Sequence, residues 1–189
     1  MTPALDKTAL RLRMRGLRRR LAEAAPDAPR RAAALAPLER LAAFAIVGAY
    51  HPQGSEMDPG PLAERLAEAG AALALPVAAR REAALEFRLW SPGDPLAPDA
   101  AGVLSPTEAA PAVRPQLVIA PLLAFDRRGG RLGQGGGHYD RTLQNLRAAG
   151  PVFVLGLAFA GQELAAIPAE PHDQRLDAIL TEAGYIAAC

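Results

Sequence analysis

Apolar residues recur with a helical period at the start of the chain. Residues 6–23 carry them at spacings of three and four, which predicts an amphipathic helix. The stripe consists of Leu10, Met14, Leu17 and Leu21. Further helices are predicted over residues 30–42, 61–70 and 140–149, although Pro37 interrupts the pattern of the first.

Short apolar runs bounded by turn residues lie between these helices and predict buried strands. The runs cover residues 44–50, 72–77, 85–90, 117–125, 152–159 and 176–180. Residues 91–111 are rich in Pro and Gly and are predicted to form a loop. This alternation predicts an α/β fold, namely a single three-layer α/β/α domain over residues 1–189 with a mostly parallel, Rossmann-like sheet. Such sheets bind ligands outside the carboxyl ends of their strands, which points to the loops after Tyr50, Phe125 and Phe159.

The loop after Phe125 is rich in glycine and leads directly into a predicted helix. Its glycines are residues 129, 130, 133, 135, 136 and 137. Glycine lets the backbone approach a ligand closely, and free backbone N–H groups before a helix can bind an anion. Arg131 and Arg141 could add charge-assisted contacts to phosphate. The loop lacks the Gly-Lys-Ser/Thr of a Walker loop, and His138 breaks a G-x-G-x-x-G pattern. A flexible loop without a ligand is the alternative.

Two aspartates follow at positions that could face the same rim of the sheet. Asp140 ends the glycine loop, and Asp173 precedes the last predicted strand. Mg²⁺ bound to a nucleotide is usually held by one or two carboxylates together with phosphate oxygens and water. The alternatives are that Asp140 caps its helix and that Asp173 is a turn residue.

The charge of the chain is unevenly distributed. The first 40 residues contain ten Lys/Arg and four Asp/Glu, although the formal net charge of the whole chain is +1. A basic helix can bind nucleic acid, an anionic membrane or a polyanionic small molecule, or it can simply be solvated. We find no aromatic RNA-binding motif, no zinc-ligand spacing and no apolar run of about 18 residues. The single cysteine, Cys189, fits a reducing compartment, so we expect a cytoplasmic protein.

The ordered blocks of the chain resemble one known family. Pro121-Leu-Leu-Ala-Phe-Asp126, followed by Gly130-Arg-Leu-Gly-Gln-Gly-Gly-Gly-His-Tyr-Asp-Arg141, closely resembles the signature of the 5-formyltetrahydrofolate cyclo-ligases, also called 5,10-methenyltetrahydrofolate synthetases. Lys7-Thr-Ala-Leu-Arg11, Glu56-Met-Asp58 and the blocks at 159–162, 167–168 and 172–181 resemble the family in the same order. Two departures are His138, where the family usually has Tyr, and Ser105-Pro106, where it commonly has Glu-Pro.

The resemblance implies an enzyme that converts 5-formyltetrahydrofolate to 5,10-methenyltetrahydrofolate, with MgATP as co-substrate and ADP and phosphate as products. Lys7, Arg131 and Tyr139 are then the expected catalytic residues, and Asp140 and Asp173 the expected Mg²⁺ ligands. The expected ATP-binding residues are Lys7, Arg11, Arg131, Leu132, Gly133, Gln134, Gly135, Gly136, Gly137, His138 and Tyr139. The expected folate-binding residues are His51, Glu56, Gln134, Gly135, Gly136, Gly137 and His138.

The remaining arginines of the first helix have no role in this scheme, and we expect residues 13, 18, 19 and 20 to be solvated. The expected partners are small molecules, without nucleic acid or membrane, and the expected state is a monomer. One alternative is another phosphate-ligand enzyme on the same kind of sheet, such as a sugar-phosphate isomerase or an acyl-CoA transferase. A second alternative is a nucleic-acid-binding module led by the basic helix.

Overall fold

The computed structural model describes residues 7–80 and 83–189. The helices are α1 (Lys7–Ala24), α2 (Ala28–Leu35), α3 (Leu38–Leu41), α4 (Gly60–Glu68) and α5 (His138–Ala149), with a 3₁₀ turn at Ala160–Gln162. The strands are β1 (Ile46–Gly48), β2 (Ala72–Val77), β3 (Glu86–Leu89), β4 (Leu96–Pro98), β5 (Leu104–Pro106), β6 (Ala112–Val113), β7 (Leu117–Pro121), β8 (Ala124–Phe125), β9 (Arg131–Leu132), β10 (Phe153–Leu157), β11 (Ala178–Thr181) and β12 (Gly184–Ala187).

Eight strands form one sheet in the order β12-β11-β10-β7-β1-β2-β3-β6. The five central strands, from β11 to β2, run parallel, and the edge strands β12, β3 and β6 add antiparallel pairs. Two small hairpins, β4-β5 and β8-β9, lie outside this sheet. The predicted mostly parallel α/β sheet is therefore confirmed.

Helices cover both faces of the sheet. On one face, α2, α3 and α4 pack against alternate side chains of the strands, including Val47, Leu117 and Leu155. On the other face, Leu143 of α5 packs against the intervening residues, including Val118 and Val154. Full burial of a side chain of this size contributes about 1.5–3 kcal/mol. Because each strand buries both of its faces, the central strands are continuous apolar runs, as the sequence predicted.

Several elements differ in extent from the sequence prediction. The helix expected over 30–42 is divided into α2 and α3, because Pro37 lacks the N–H that would continue the first helix. The strand expected over 117–125 stops at Pro121, and the chain then forms the β8-β9 hairpin. The predicted loop 91–111 contains the β4-β5 hairpin, where the Asp99 carboxylate accepts bonds from the N–H groups of Ala78, Ala101 and Val103.

The order of the strands reverses between β1 and β7. From β1 the chain continues outward to β2, whereas from β7 it continues to β10 and β11 on the other side. At such a reversal the connecting segments diverge and leave a crevice at the carboxyl ends of the strands. Helix α1 crosses this end of the sheet, where Leu10 and Met14 pack against Leu123, Leu132 and Ile167. Among the described helices, none is long and apolar enough to cross a membrane.

Candidate active site

A cleft of about 330 Å³ opens at the carboxyl ends of β1 and β7. Its walls come from α1, from the loops after β1 and β9, from the start of α5 and from the segment before β11. All residues to which the family resemblance assigned a site role line this one cleft. They are Lys7, Arg11, His51, Glu56, Arg131, Leu132, Gly133, Gln134, Gly135, Gly136, Gly137, His138, Tyr139, Asp140 and Asp173.

The glycine loop, residues 133–137, presents its backbone to the cleft. None of its five N–H groups donates a hydrogen bond to a described residue. Gly135 and Gly137 have φ values of +108° and +66°, which L side chains rarely adopt. Helix α5 begins directly after Gly137, so the partial positive charge of its amino end adds to that of the free N–H groups. Such an arrangement favours a bound anion.

Three cations surround this loop. The Arg11 Nε donates to the carbonyl of Gly133 at 3.1 Å, while Lys7 lies one helical turn earlier on the same side of α1. The side chain of Arg131 is only 4% exposed, and its Nη2 lies 2.6 Å from Asp140 Oδ1. Its buried Nε has no hydrogen-bond partner among residues 7–80 and 83–189, which leaves a strong donor for a ligand in the cleft. Its guanidinium carbon is 5.9 Å from the centre of the Tyr139 ring.

The two predicted metal ligands lie at the same rim of the cleft. The backbone N–H of Gln174, directly after Asp173, donates to Asp140 Oδ1 at 3.0 Å. Lys7 Nζ is 2.9 Å from Asp173 Oδ2 and 3.3 Å from Glu170 Oε2. Burial raises the pKa of Asp173, but bonds from Lys7 and from the Glu170 N–H outweigh this and lower it below its ordinary value. Asp173 is therefore ionised at neutral pH.

Glu56 is held at the opposite end of the cleft by a residue that the sequence analysis missed. Arg18 was expected to be solvated, but it is only 5% exposed, so that expectation is wrong. Its guanidinium bonds to Ser55 Oγ at 3.2 Å and to the Leu122 carbonyl at 3.2 Å, and it contacts Glu56 Oε1 at 3.5 Å. The other carboxylate oxygen of Glu56 accepts the N–H of Gln53 at 2.9 Å. The long side chain of Arg18, on α1, thus fixes the position of the Glu56 carboxylate.

Two tyrosines lie between the ends of the cleft. Burial and the negative charge of Glu56 raise the pKa of Tyr139 well above its ordinary value, although Arg131 opposes this effect. Burial likewise raises the pKa of Tyr50, whose hydroxyl donates to the carbonyl of Met57. Tyr139 is therefore a neutral phenol at physiological pH and can donate a hydrogen bond to a ligand oxygen.

The structure also adds residues to the predicted site and removes one. Arg141 does not line the cleft, because its Nη2 turns back to donate to the Gly136 carbonyl at 2.7 Å. A partly apolar wall comes from segments that the sequence analysis assigned to a strand or a loop without function. These residues are Pro76, Ala78, Leu85, Asp99, Ala101 and Val103. Glu170 and His172 also line the cleft beside Asp173. The sequence indicated a role for them only through their position close to Asp173.

The arrangement has two chemically distinct ends. At one end, free N–H groups, Lys7, Arg11 and Arg131 can hold a polyanion, and two carboxylates can hold a divalent cation beside it. At the other end, Glu56 is an acceptor for N–H donors of a neutral ring. Tyr139, which is close to Arg131 and feels the charge of Glu56, lies between the two ends, so a group bound at one end can meet a group bound at the other.

Comparisons with known proteins identify the family of the chain. Residues 4–182 match the model of the 5-formyltetrahydrofolate cyclo-ligase family. The chain is 38% identical over 150 residues to the 5-formyltetrahydrofolate cyclo-ligase of Mycolicibacterium smegmatis, covering 75% of this chain and 76% of that protein. It is also 38% identical over 133 residues to the enzyme of that name from Escherichia coli K12, covering 67% and 71% of the two chains.

Solved structures give the same result at the level of the fold. The 5,10-methenyltetrahydrofolate synthetase of Aquifex aeolicus superimposes with a TM-score of 0.75 at 26% identity, covering 96% of this chain and 92% of that one. The synthetase of Mycoplasma pneumoniae has the same fold, with a TM-score of 0.69 at 20% identity and coverage of 94% and 99%. From the family match, the sequence relatives and the fold together, the chain belongs to the 5-formyltetrahydrofolate cyclo-ligase family of enzymes.

Proposed function

We propose that this enzyme uses MgATP to close the ring of 5-formyltetrahydrofolate, giving 5,10-methenyltetrahydrofolate, ADP and phosphate. The glycine loop and the cations Lys7, Arg11 and Arg131 hold the triphosphate, and the end of the cleft at His51 and Glu56 holds the pterin. The observation that carries this proposal is the set of five backbone N–H groups at residues 133–137 that bond to no described residue and face a cleft with Glu56 at its far end.

In the proposed reaction the formyl oxygen attacks the γ-phosphorus of ATP, and the bond from that phosphorus to the leaving ADP oxygen breaks. N10 then attacks the activated formyl carbon, phosphate leaves with the former formyl oxygen, and the N10 proton is released. Phosphoryl transfer requires mainly positioning and charge stabilisation. Lys7 and Arg131 supply positive charge, and the neutral hydroxyl of Tyr139 supplies a donor at the point where the substrates meet.

Asp140 and Asp173 fit a magnesium ion by their chemistry. Both are partly exposed carboxylates, and no hydrogen bond from a described residue reaches Oδ2 of Asp140. Mg²⁺ prefers such oxygen ligands, and when bound it would neutralise charge on the phosphate oxygens. In this proposal Arg131 and Lys7 orient the two carboxylates toward the phosphate end of the cleft.

The expected domain organisation, oligomeric state, ligands and location follow from the same features. One chain supplies every wall of the cleft, from Lys7 to Asp173, which supports a single functional domain that works as a monomer. The cleft suits small molecules, and Cys189 is exposed and unpaired, which supports a reducing, cytoplasmic setting.

Measuring ADP together with the near-ultraviolet absorbance of the methenyl product tests the proposal. Purified protein with MgATP should release ADP only when 5-formyltetrahydrofolate is added, and ADP and methenyl product should form in equal amounts. ADP release that does not depend on folate, or product formed without ATP, would contradict it. A sugar-phosphate isomerase or an acyl-CoA transferase would form neither product.

The Asp140→Asn variant tests the magnesium assignment. Asn keeps an oxygen for Arg131 but loses the charge that attracts the cation. We expect the Mg²⁺ concentration for half-maximal ADP release to rise about tenfold or more, because bonds to charged groups contribute about 1.5–3 kcal/mol. Asp177→Asn is the matched control, since Asp177 lies outside the cleft and pairs with Arg147. Equal Mg²⁺ dependence in the two variants would remove Asp140 from the metal site.

A further inference from the structure

A second depression, of about 620 Å³, runs along the exposed side of α1 beside the cleft. We call it the α1 groove. Its walls are Arg15 and Arg19 on the helix and the turn Gln53–Ser55 opposite them, with Gln134 of the glycine loop at one end. None of these residues except Gln134 was assigned to a site from the sequence.

The α1 groove continues the cleft at its folate end. Gln53 and Gln134 line both depressions, and Gln53 is the residue whose N–H holds Glu56. Along α1, Lys7 and Arg11 face the cleft while Arg15 and Arg19 face the groove. The helix rises 1.5 Å per residue, so this row of cations extends over about 18 Å from Lys7 to Arg19.

The groove carries a net positive charge. Arg18 is neutralised by Glu56, but the described residues to which Arg15 donates offer only neutral oxygens, those of the side chain and backbone of Gln134 at 3.0 and 3.1 Å. Arg19 is exposed, and no hydrogen bond or ion pair between described residues involves it. Glu23 is the one carboxylate among the groove residues. An anionic group entering from the cleft would therefore meet two arginines.

We propose that the α1 groove binds the glutamyl carboxylates of the folate substrate. A folate carries these carboxylates on the far side of its p-aminobenzoyl ring, away from the atoms that react. With the pterin at Glu56, the ring and its amide pass Gln53 and Gln134, and the carboxylates reach Arg15 and Arg19. Guanidinium groups bind carboxylates through paired, charge-assisted hydrogen bonds. Folates with further γ-linked glutamates would continue along the same helix face.

Calorimetry without nucleotide tests this assignment with two ligands. One is 5-formyltetrahydrofolate, and the other is 5-formyltetrahydropteroate, which lacks the glutamate. The assignment predicts that the unmodified protein binds the first more tightly. The measured quantity is the Kd for 5-formyltetrahydropteroate divided by the Kd for 5-formyltetrahydrofolate. Arg19→Gln should reduce this ratio roughly two- to fivefold, and the double variant Arg15→Gln/Arg19→Gln roughly tenfold, because partly exposed ion pairs contribute energies of this size. Arg13→Gln and Arg20→Gln, on the same helix outside the groove, are the matched controls and should keep the ratio.

The outcomes separate this assignment from the proposed function on which it rests. A ratio near one in the unmodified protein, or an equal decrease in the Arg13 and Arg20 controls, would overturn the groove assignment while folate-dependent ADP release could still be observed. Because binding is measured without ATP, a protein that binds both ligands with the predicted ratios but releases no ADP would support the groove and contradict the ATP-dependent reaction.

Discussion

At the scale of single residues, buried charges hold the site together. Arg18 and Glu56 have side chains that are 6% and 7% exposed, and they connect α1 to the loop after β1. Burial lowers the pKa of Arg18, and the charge of Glu56 partly offsets this. A buried pair of this kind contributes little net stability compared with apolar residues, but removing one partner leaves the other charge unpaired.

Arg18→Met should therefore reduce the free energy of unfolding by about 3–5 kcal/mol, measured by urea denaturation at neutral pH. Adding Glu56→Gln should recover part of the loss, because the unpaired charge is then gone. Arg20→Met, two residues further along α1 and exposed, should change stability by no more than about 0.5 kcal/mol. Equal urea midpoints for the Arg18 and Arg20 variants would show that the buried pair does not matter.

Asp126 is a second residue whose charge is structural. It is 3% exposed, and its carboxylate accepts the N–H groups of Arg128, Gly130 and Ile167 at 2.9, 3.0 and 2.8 Å. Burial raises its pKa, but these three bonds outweigh burial and lower the pKa below 3.8. Asp126 thus fastens the β8-β9 hairpin to the segment that leads to Asp173.

A lowered pKa in the folded state makes this carboxylate stabilising above pH 3.8, and the contribution is lost as the pH falls below that value. Asp126→Asn places an amide N–H₂ against a backbone donor and should cost about 1–3 kcal/mol at pH 7. The free energy of unfolding of this variant should then fall less steeply than that of the unmodified protein between pH 4 and pH 2. Parallel stability curves over this acid range would contradict the role of Asp126.

At the scale of elements, the glycine loop has a shape that its sequence only partly indicated. The number of glycines predicted close approach to an anion. The two left-handed residues and the five free N–H groups, however, depend on where β9 and α5 anchor the loop ends. The hairpin that anchors it was not predicted, because residues 117–125 form one unbroken apolar run.

Gly135→Ala tests the loop conformation. Its φ of +108° is strained for alanine, at a cost of about 1–3 kcal/mol, and the loop is expected to shift to relieve that strain. The apparent KM for ATP should rise about tenfold. Gly70→Ala is the matched control, with a φ of +103° at the end of α4, away from the cleft. It should lose similar stability and keep its KM for ATP. A similar KM in both variants would contradict the proposed contact of the loop with ATP.

At the scale of the whole molecule, the sheet and most helices followed from periodicity, because buried parallel strands and amphipathic helices leave distinct patterns. The site residues followed from resemblance to a family, and the fold brings them into one cleft. What could not be predicted were contacts over long separations in the chain, such as Arg18 with Glu56, and the cleft wall that includes Pro76, Leu85 and Val103. A solvated and a buried arginine look the same in sequence.

The central claim for the whole molecule is that one cleft binds ATP at one end and folate at the other. Steady-state kinetics of Lys7→Ala and Glu56→Gln test it most directly, with each variant as the control for the other. Lys7→Ala should raise the KM for ATP roughly tenfold to a hundredfold and leave that for 5-formyltetrahydrofolate within about twofold, and Glu56→Gln should do the reverse. If both variants raised the same KM, or if neither changed its assigned KM, the two-ended cleft would be contradicted.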